Sequence, residues 1–127
     1  MPFFFDSYAI IELVKINPAY EKFKEVLIIT NALNIAEAHY ILTVYHGQEK
    51  ADEAFKNLSI NLLEIDKESA IAASKFRYEH KKLKLSYADC LGYCLARKKN
   101  LLFVTGDDAF ESFEGVEFIK WSDYDGF

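Results

Sequence analysis

Asp6, Glu37, Asp89 and Asp107 are the side chains whose types and positions could do chemistry together. With 20 acidic residues in the chain accidental clusters are easy to find, so placement relative to the predicted strands has to select among them. Asp6 directly follows the apolar run Phe3-Phe4-Phe5, and Asp107 follows residues 101–104 across Thr105 and Gly106. Ligands of an open parallel sheet bind beyond the carboxyl ends of its strands, where the strand order reverses. If the first and fourth strands are neighbours there, Asp6 and Asp107 face one crevice. Glu37 and Asp89 open predicted helices, each three residues after a capping residue, in Asn34-Ile-Ala-Glu37 and Ser86-Tyr-Ala-Asp89. Taken singly, each of these acids could simply cap its helix and oppose the helix dipole, a contribution of about 0.5 to 1 kcal/mol. Taken together, four converging carboxylates repel one another, and a cation is what neutralises them. An all-oxygen set suits Mg²⁺ or Mn²⁺, which activate water and clamp the oxygens of a phosphodiester. His39, His46 and His80 have no zinc-ligand spacing, and His39 and His46 read as solvent-facing or core-edge residues.

These residues need a scaffold, and the periodicity supplies one. Apolar runs at residues 3–5, 26–30, 61–65, 101–104 and 116–119 read as five strands. Helical patterns span residues 8–16, 34–45, 49–58, 66–82 and 86–98, the fourth with a stripe of Ile71, Ser74 and Tyr78 and with Ala70, Ala73 and Phe76 beside it. Strands alternating with helices imply an α/β fold, a central mostly parallel five-stranded sheet with helices on both faces. The 127 residues make one domain, 1–127, large enough to bury a core without disulfides or a structural metal.

Composition narrows the function classes. Fifteen Lys and Arg against 20 Asp and Glu leave a net charge of −5, which excludes a general nucleic-acid coat but not a local basic patch. No apolar run approaches a membrane span, and Met-Pro-Phe-Phe-Phe-Asp lacks the basic start of a secretory signal, so a cytoplasmic protein is expected. Cys90 and Cys94, four residues apart, share a helix face and read as buried free thiols.

Four ordered motifs carry a family resemblance from Phe3 to about Ile119. They are Phe-Phe-Phe-Asp6-Ser7, Asn34-Ile-Ala-Glu37-Ala, Ser86-Tyr-Ala-Asp89 with the small-residue helix running on to Ala96, and Thr105-Gly-Asp107-Asp-Ala-Phe110. The chain resembles the PIN-domain nucleases, and among them the small VapC-type toxins of toxin–antitoxin modules. The resemblance implies a PIN-like three-layer sandwich and a metal-dependent endoribonuclease. Asp6, Glu37, Asp89 and Asp107 would be its catalytic and metal-binding residues, Ser7 and Thr105 its supporting hydroxyls. It also implies a VapB-like antitoxin partner and a homodimer. Asp108 either joins the site or caps a short helix through Phe113. Gly92, Tyr93 and Cys94 depart from the small apolar residues usual in the third motif and bear on how that helix packs.

An RNA substrate requires positive charge near the acids. Arg77, Lys81, Lys82 and Lys84 immediately precede the helix of Asp89 and are the candidate RNA contacts, with an ordinary solvated helix end as the alternative. Arg97-Lys98-Lys99 stands at the other end of that helix and answers to its dipole. Tyr8, Tyr40, Tyr45 and Phe55 read chiefly as core, with a dimer face or antitoxin groove as the alternative. Two further readings stand beside the toxin: a nuclease of RNA maturation and a non-catalytic binding scaffold. A receiver domain fails on order, because its acidic pair belongs after the first strand.

Overall fold

Three consecutive phenylalanines form the central strand. In the computed structural model, which describes residues 2–56 and 58–120, β1 (Phe3–Phe5) sends Phe4 into one apolar cluster and Phe5 into another, and both are fully buried. Burial on both faces explains why the strand is apolar without alternation. Each such Phe contributes about 1.5 to 3 kcal/mol by leaving water. β2 (Ile28–Thr30), β3 (Ile60–Leu62), β4 (Leu102–Thr105) and β5 (Val116–Phe118) complete a sheet of order β3-β2-β1-β4-β5, parallel throughout. Phe5 registers with Val104, so β1 and β4 are the neighbours the site requires, and the strand order reverses between them.

The helices divide between the faces. α1 (Ser7–Val14) and α2 (Ala32–His46) bury Ile10 and Ala38 with Phe5, Ile28 and Val104. α4 (Lys67–Glu79) and α5 (Tyr87–Lys98) bury Ala73, Cys90 and Leu95 with Phe4 and Phe103. α3 (Gln48–Lys56) packs against α2; residue 57, within the predicted third helix, and residues 1 and 121–127 of the predicted domain lie outside the described residues. The result is the three-layer α/β arrangement that the alternation of elements predicts.

Several local readings change. The inward face of α4 is Ser69, Ala73 and Phe76, while Ile71 and Tyr78 are 47% and 72% exposed. Small residues let α4 lie close to α5, and packing distance overrides the larger apolar stripe. Tyr40 and Tyr45 are exposed and Tyr8 is half-buried, so these are not core residues, whereas Phe55, half-buried, packs against the cluster of Phe5, Ile28 and Val104. Cys90 is buried and Cys94 half-buried, both as free thiols, and burial pushes the Cys90 thiol up to about 11. The unusual third motif has a packing basis. A Cβ at Gly92 would stand 3.0 to 3.1 Å from the Phe4 and Phe103 rings and the Asn34 amide. Tyr93 reaches the Glu114 carbonyl with its hydroxyl and packs its ring against Phe103, Phe110 and Phe113. No helix among the described residues is long and apolar enough to cross a membrane.

Candidate functional site

Three of the four selected acids are set by the start of a helical segment or by the strand before it. Asp6 ends β1 and caps α1, its Oδ1 accepting from Ala9 N at 2.7 Å. Asp107 follows β4 and caps a 3₁₀ turn (Asp108–Phe110), accepting from Ala109 N at 3.0 Å. Asp89 sits in the first turn of α5 in a complete capping box, accepting from Ser86 N at 2.9 Å while its own N–H donates to Ser86 Oγ at 3.1 Å. An ionised carboxylate has about four acceptor positions, so these caps leave each acid capacity to bind something else.

Glu37 differs from its sequence reading. Asn31, not Asn34, caps α2, accepting from Asn34 N at 2.8 Å, so Glu37 lies in the second turn and caps nothing. Asn34 is fully buried and serves α1 instead. Its Oδ1 accepts from Ser7 N at 3.1 Å and from Ser7 Oγ at 2.9 Å, and its Nδ2 donates to the Ala88 carbonyl at 3.4 Å. One side chain thereby ties together the starts of α1, α2 and α5, the three helices that carry Asp6, Glu37 and Asp89.

A cavity of about 810 Å³ opens at this end of the sheet, and Asp6, Glu37, Asp89 and Asp107 all line it. Asp6 lies at its base, 2% exposed. Burial, with the charges of Asp89 and Asp107 adding to it, raises its carboxyl to about 8, against the hydrogen bonds from Thr105 and Ala9. Asp89 is raised for the same reason, burial first and then the charges of Glu37 and Asp107. The four acids therefore sense one another across the cavity. Thr105 links two of them, since its hydroxyl bonds Asp6 and also accepts from Asp107 N at 3.0 Å. Ser7 lines the cavity, but its hydroxyl is committed to Asn34. Asp108 is exposed, outside the cavity wall, and is not a cap, because Asp107 holds that place.

The cavity wall also contains residues that the sequence did not single out for it. Glu12 is a fifth carboxylate, 1% exposed and bonded by the Asn17 amide. Tyr8 stands beside Gly106, its phenol pushed upward by burial and then by the charges of Glu12, Asp107, Asp6 and Asp108. Lys15, Tyr45 and His46 close the far end. His46 thus shares a cavity with the acids, whereas His39 is turned away, paired with Asp52 at 2.8 Å. Only the fold brings α1 and α2 side by side, so no local pattern announces these neighbours.

Of the candidate RNA contacts, Lys84 reaches the acidic cavity. Arg77 and Lys81 line an adjoining one with Lys84, and Lys82 is exposed outside both. At the other end of α5, Arg97 faces Glu114 at 3.6 Å and Lys98 faces Asp66 at 3.5 Å.

The donor set suits a hard, hydrated cation. Among the described residues no three of His, Cys, Asp or Glu stand close enough to enclose an ion. Mg²⁺ is commonly bound through one or two carboxylates while keeping several waters. Coupled carboxylates, one of them buried, in a cavity with room for water meet that need.

The whole chain was compared with known proteins. The family model of the PIN domain matches residues 3–116. None of the curated protein sequences compared with it matches. Among solved structures, VapC20 of Mycobacterium tuberculosis, a toxin described as cleaving the sarcin-ricin loop, superposes with a TM-score of 0.76 at 16% identity, covering 92% of this chain and 98% of that one. A toxin–antitoxin complex from Klebsiella pneumoniae gives 0.68 at 18% identity, with 91% and 95% covered. VapBC2 of Rickettsia felis, bound to a DNA fragment from their promoter, gives 0.68 at 14% identity, with 96% and 100% covered.

Proposed function

The chain belongs to the PIN-domain nuclease family, and from that premise we propose that it is a divalent-metal-dependent endoribonuclease, the toxin of a toxin–antitoxin pair. The observation that carries the reading is the convergence of Asp6, Glu37, Asp89 and Asp107 on one cavity at the β1/β4 reversal, with Asp6 buried at its base. These four residues would hold Mg²⁺ or Mn²⁺. When bound, such an ion supplies positive charge to the scissile phosphate and lowers the pKa of water so that it attacks at neutral pH.

The protein's own part is arrangement and proton control. Thr105 keeps Asp6 and Asp107 in fixed relation, and the Ser86 capping box holds Asp89 from the opposite helix layer. Burial favours the protonated form of Asp6 in the cation-free cavity, and a bound cation would favour its carboxylate. Lys84 at the cavity wall offers the phosphate backbone a cation beside the acids.

The test is cleavage of RNA by Asp89→Asn in Mg²⁺ or Mn²⁺, compared with wild type and with EDTA. The expected result is a loss of at least about a hundredfold, the scale of removing one electrostatic catalytic group. Undiminished cleavage by the folded variant would sink the assignment. The toxin role draws on the toxin–antitoxin neighbours and on the exposed apolar residues Leu33, Tyr40 and Val44 of α2, a surface suited to a VapB-like protein. A small upstream gene whose product co-purifies and silences cleavage would support it; RNA processing without growth arrest on induction would favour a maturation nuclease instead.

A further inference from the structure

We propose that residues 121–127 fold back over the acidic cavity of their own chain and lie on its apolar wall, so that the protein covers its site until a substrate displaces them. The proposal rests on the reading of that cavity as the cutting site. The segment is Trp121-Ser-Asp-Tyr-Asp-Gly-Phe127, with three rings, two carboxylates and no cation. The last described residues point it at the cavity. Ile119 packs with the cluster of Phe5 and Ile10 on the α1 side of the sheet. Its N–H donates to the Thr105 carbonyl at 2.9 Å, and its carbonyl accepts from the Tyr20 hydroxyl at 3.3 Å. That carbonyl and the Tyr8 ring meet over Gly106, 2.8 and 3.0 Å from where a Cβ would stand. Tyr8 belongs to the cavity wall, so Trp121 is two residues beyond a contact with the rim.

Wall and segment match in reach and in chemistry. Along α1 the wall runs from Tyr8 to Lys15, about 10 Å at the helical rise. Extended backbone over residues 120–123 spans about 10 to 13 Å, which carries Asp123 from Ile119 to Lys15. Among the described residues no carboxylate pairs with Lys15, so its charge is available to Asp123. Asp6 caps one end of α1 and Lys15 the other, about 13 Å apart, so Asp123 meets the cation without crowding Asp6. Between Tyr8 and Lys15 the wall is apolar. Ile11 and Ile41 are half-buried there, and Tyr45 is 77% exposed. Such a surface gains by being covered, and aromatic side chains bring the most area to it. A segment tethered beside the rim is also present at a millimolar effective concentration, so weak contacts are enough to seat it.

Trp121 is the single tryptophan of the chain, so its fluorescence reports the segment directly. The experiment measures acrylamide quenching of Trp121 in the full chain, in Mg²⁺ and without RNA. With the segment seated in at least half of the molecules, Tyr45→Ser and Lys15→Met should each raise the quenching constant about twofold. Asp123→Asn should do the same in the wild-type background and add nothing to Lys15→Met, because the two side chains act as one pair. Quenching should not change on roughly tenfold dilution, since the contact lies within one chain. Asp123→Asn should also cut RNA about twofold faster at limiting substrate, because a site covered in half of the molecules shows half its affinity. Unchanged quenching in both Tyr45→Ser and Lys15→Met would overturn the proposal. So would a rise in quenching on dilution, which would assign the segment to a second copy of the chain. Failure here is separable from failure of the nuclease reading. If all variants quench alike while Asp89→Asn abolishes cleavage, only the covering segment falls. If quenching changes as expected while Asp89→Asn cleaves normally, only the acidic site falls.

Discussion

Asp6→Asn should make the cation-free protein more stable, increasingly so as pH rises. Asp6 is 2% exposed and its carboxyl is raised from 3.8 to about 8, so across that interval the folded chain keeps a proton that the unfolded chain has released. A folded state that binds the extra proton loses stability as pH increases, and the loss is complete only above the folded pKa. Between pH 5 and pH 8 the interval is about three pH units at about 1.4 kcal/mol each, a ceiling of about 4 kcal/mol. Asn does not titrate there. Its Oδ1 can still accept from Ala9 N, and its amide can donate to Thr105 Oγ, which has two lone pairs. Asp89 is present in both proteins, so the difference between them reports Asp6 together with its interaction with Asp89. Urea unfolding followed by circular dichroism at pH 5, 6, 7 and 8 in EDTA should show the two stabilities diverging. Half the ceiling already corresponds to roughly 6 to 10 °C in Tm for a chain of this size. Adding Mn²⁺ at pH 8 should raise wild type and leave the variant unmoved, because the ion replaces the proton. Parallel stability curves for the two proteins in EDTA would refute the reasoning.

Asn34→Ala strips the Ser7 N–H of its acceptor and leaves the Ser7 hydroxyl only the Asn34 backbone carbonyl at 3.2 Å, and should cost about 1 to 3 kcal/mol by urea unfolding; a loss below about 0.5 kcal/mol would mean that water replaces the side chain. Gly106→Ala would put a Cβ 2.8 Å from the Ile119 carbonyl oxygen and 3.0 Å from the Tyr8 ring, so about 1 to 3 kcal/mol should be lost. The Mn²⁺-induced rise in Tm should shrink with it, since Asp107 is the next residue; an unchanged rise would show that the strand end absorbs the clash. With its thiol raised to about 11, Cys90 should resist iodoacetamide at pH 7.5 in the native protein and react once urea exposes it, as read by mass spectrometry.

How much of this was legible beforehand differs by residue. Asp6 and Asp107 were found by position alone, because an apolar run followed by an acid marks a strand end, and the β1/β4 pairing then brought them together. Asp89 was legible through Ser86, a cap that the structure keeps. Glu37 was placed in the cavity by the right helix but the wrong cap. Asn31 and Asn34 are both plausible caps, and what separates them is the bond from Asn34 to Ser7, a tertiary contact with no local signature. On α4 hydrophobicity favours the Ile71 stripe, whereas close approach to α5 selects Ala73 and Phe76, which the sequence pattern places beside that stripe. Lys15, Tyr45, His46 and Glu12 were missed because their shared wall exists only once α1 and α2 lie together.

The pairing of β1 with β4 has a consequence for the order in which the molecule is made. Phe5 and its partner Val104 stand far apart along the chain, so the centre of the sheet stays open until the residues between them have been made. Asp6 and Asp107 cannot meet before that pairing. A stalled or C-terminally trimmed chain lacking β4 therefore has neither the central strand pair nor the fourth acid. On the proposed activity, a copy that has not yet paired β4 with β1 has no complete set of acids with which to cut.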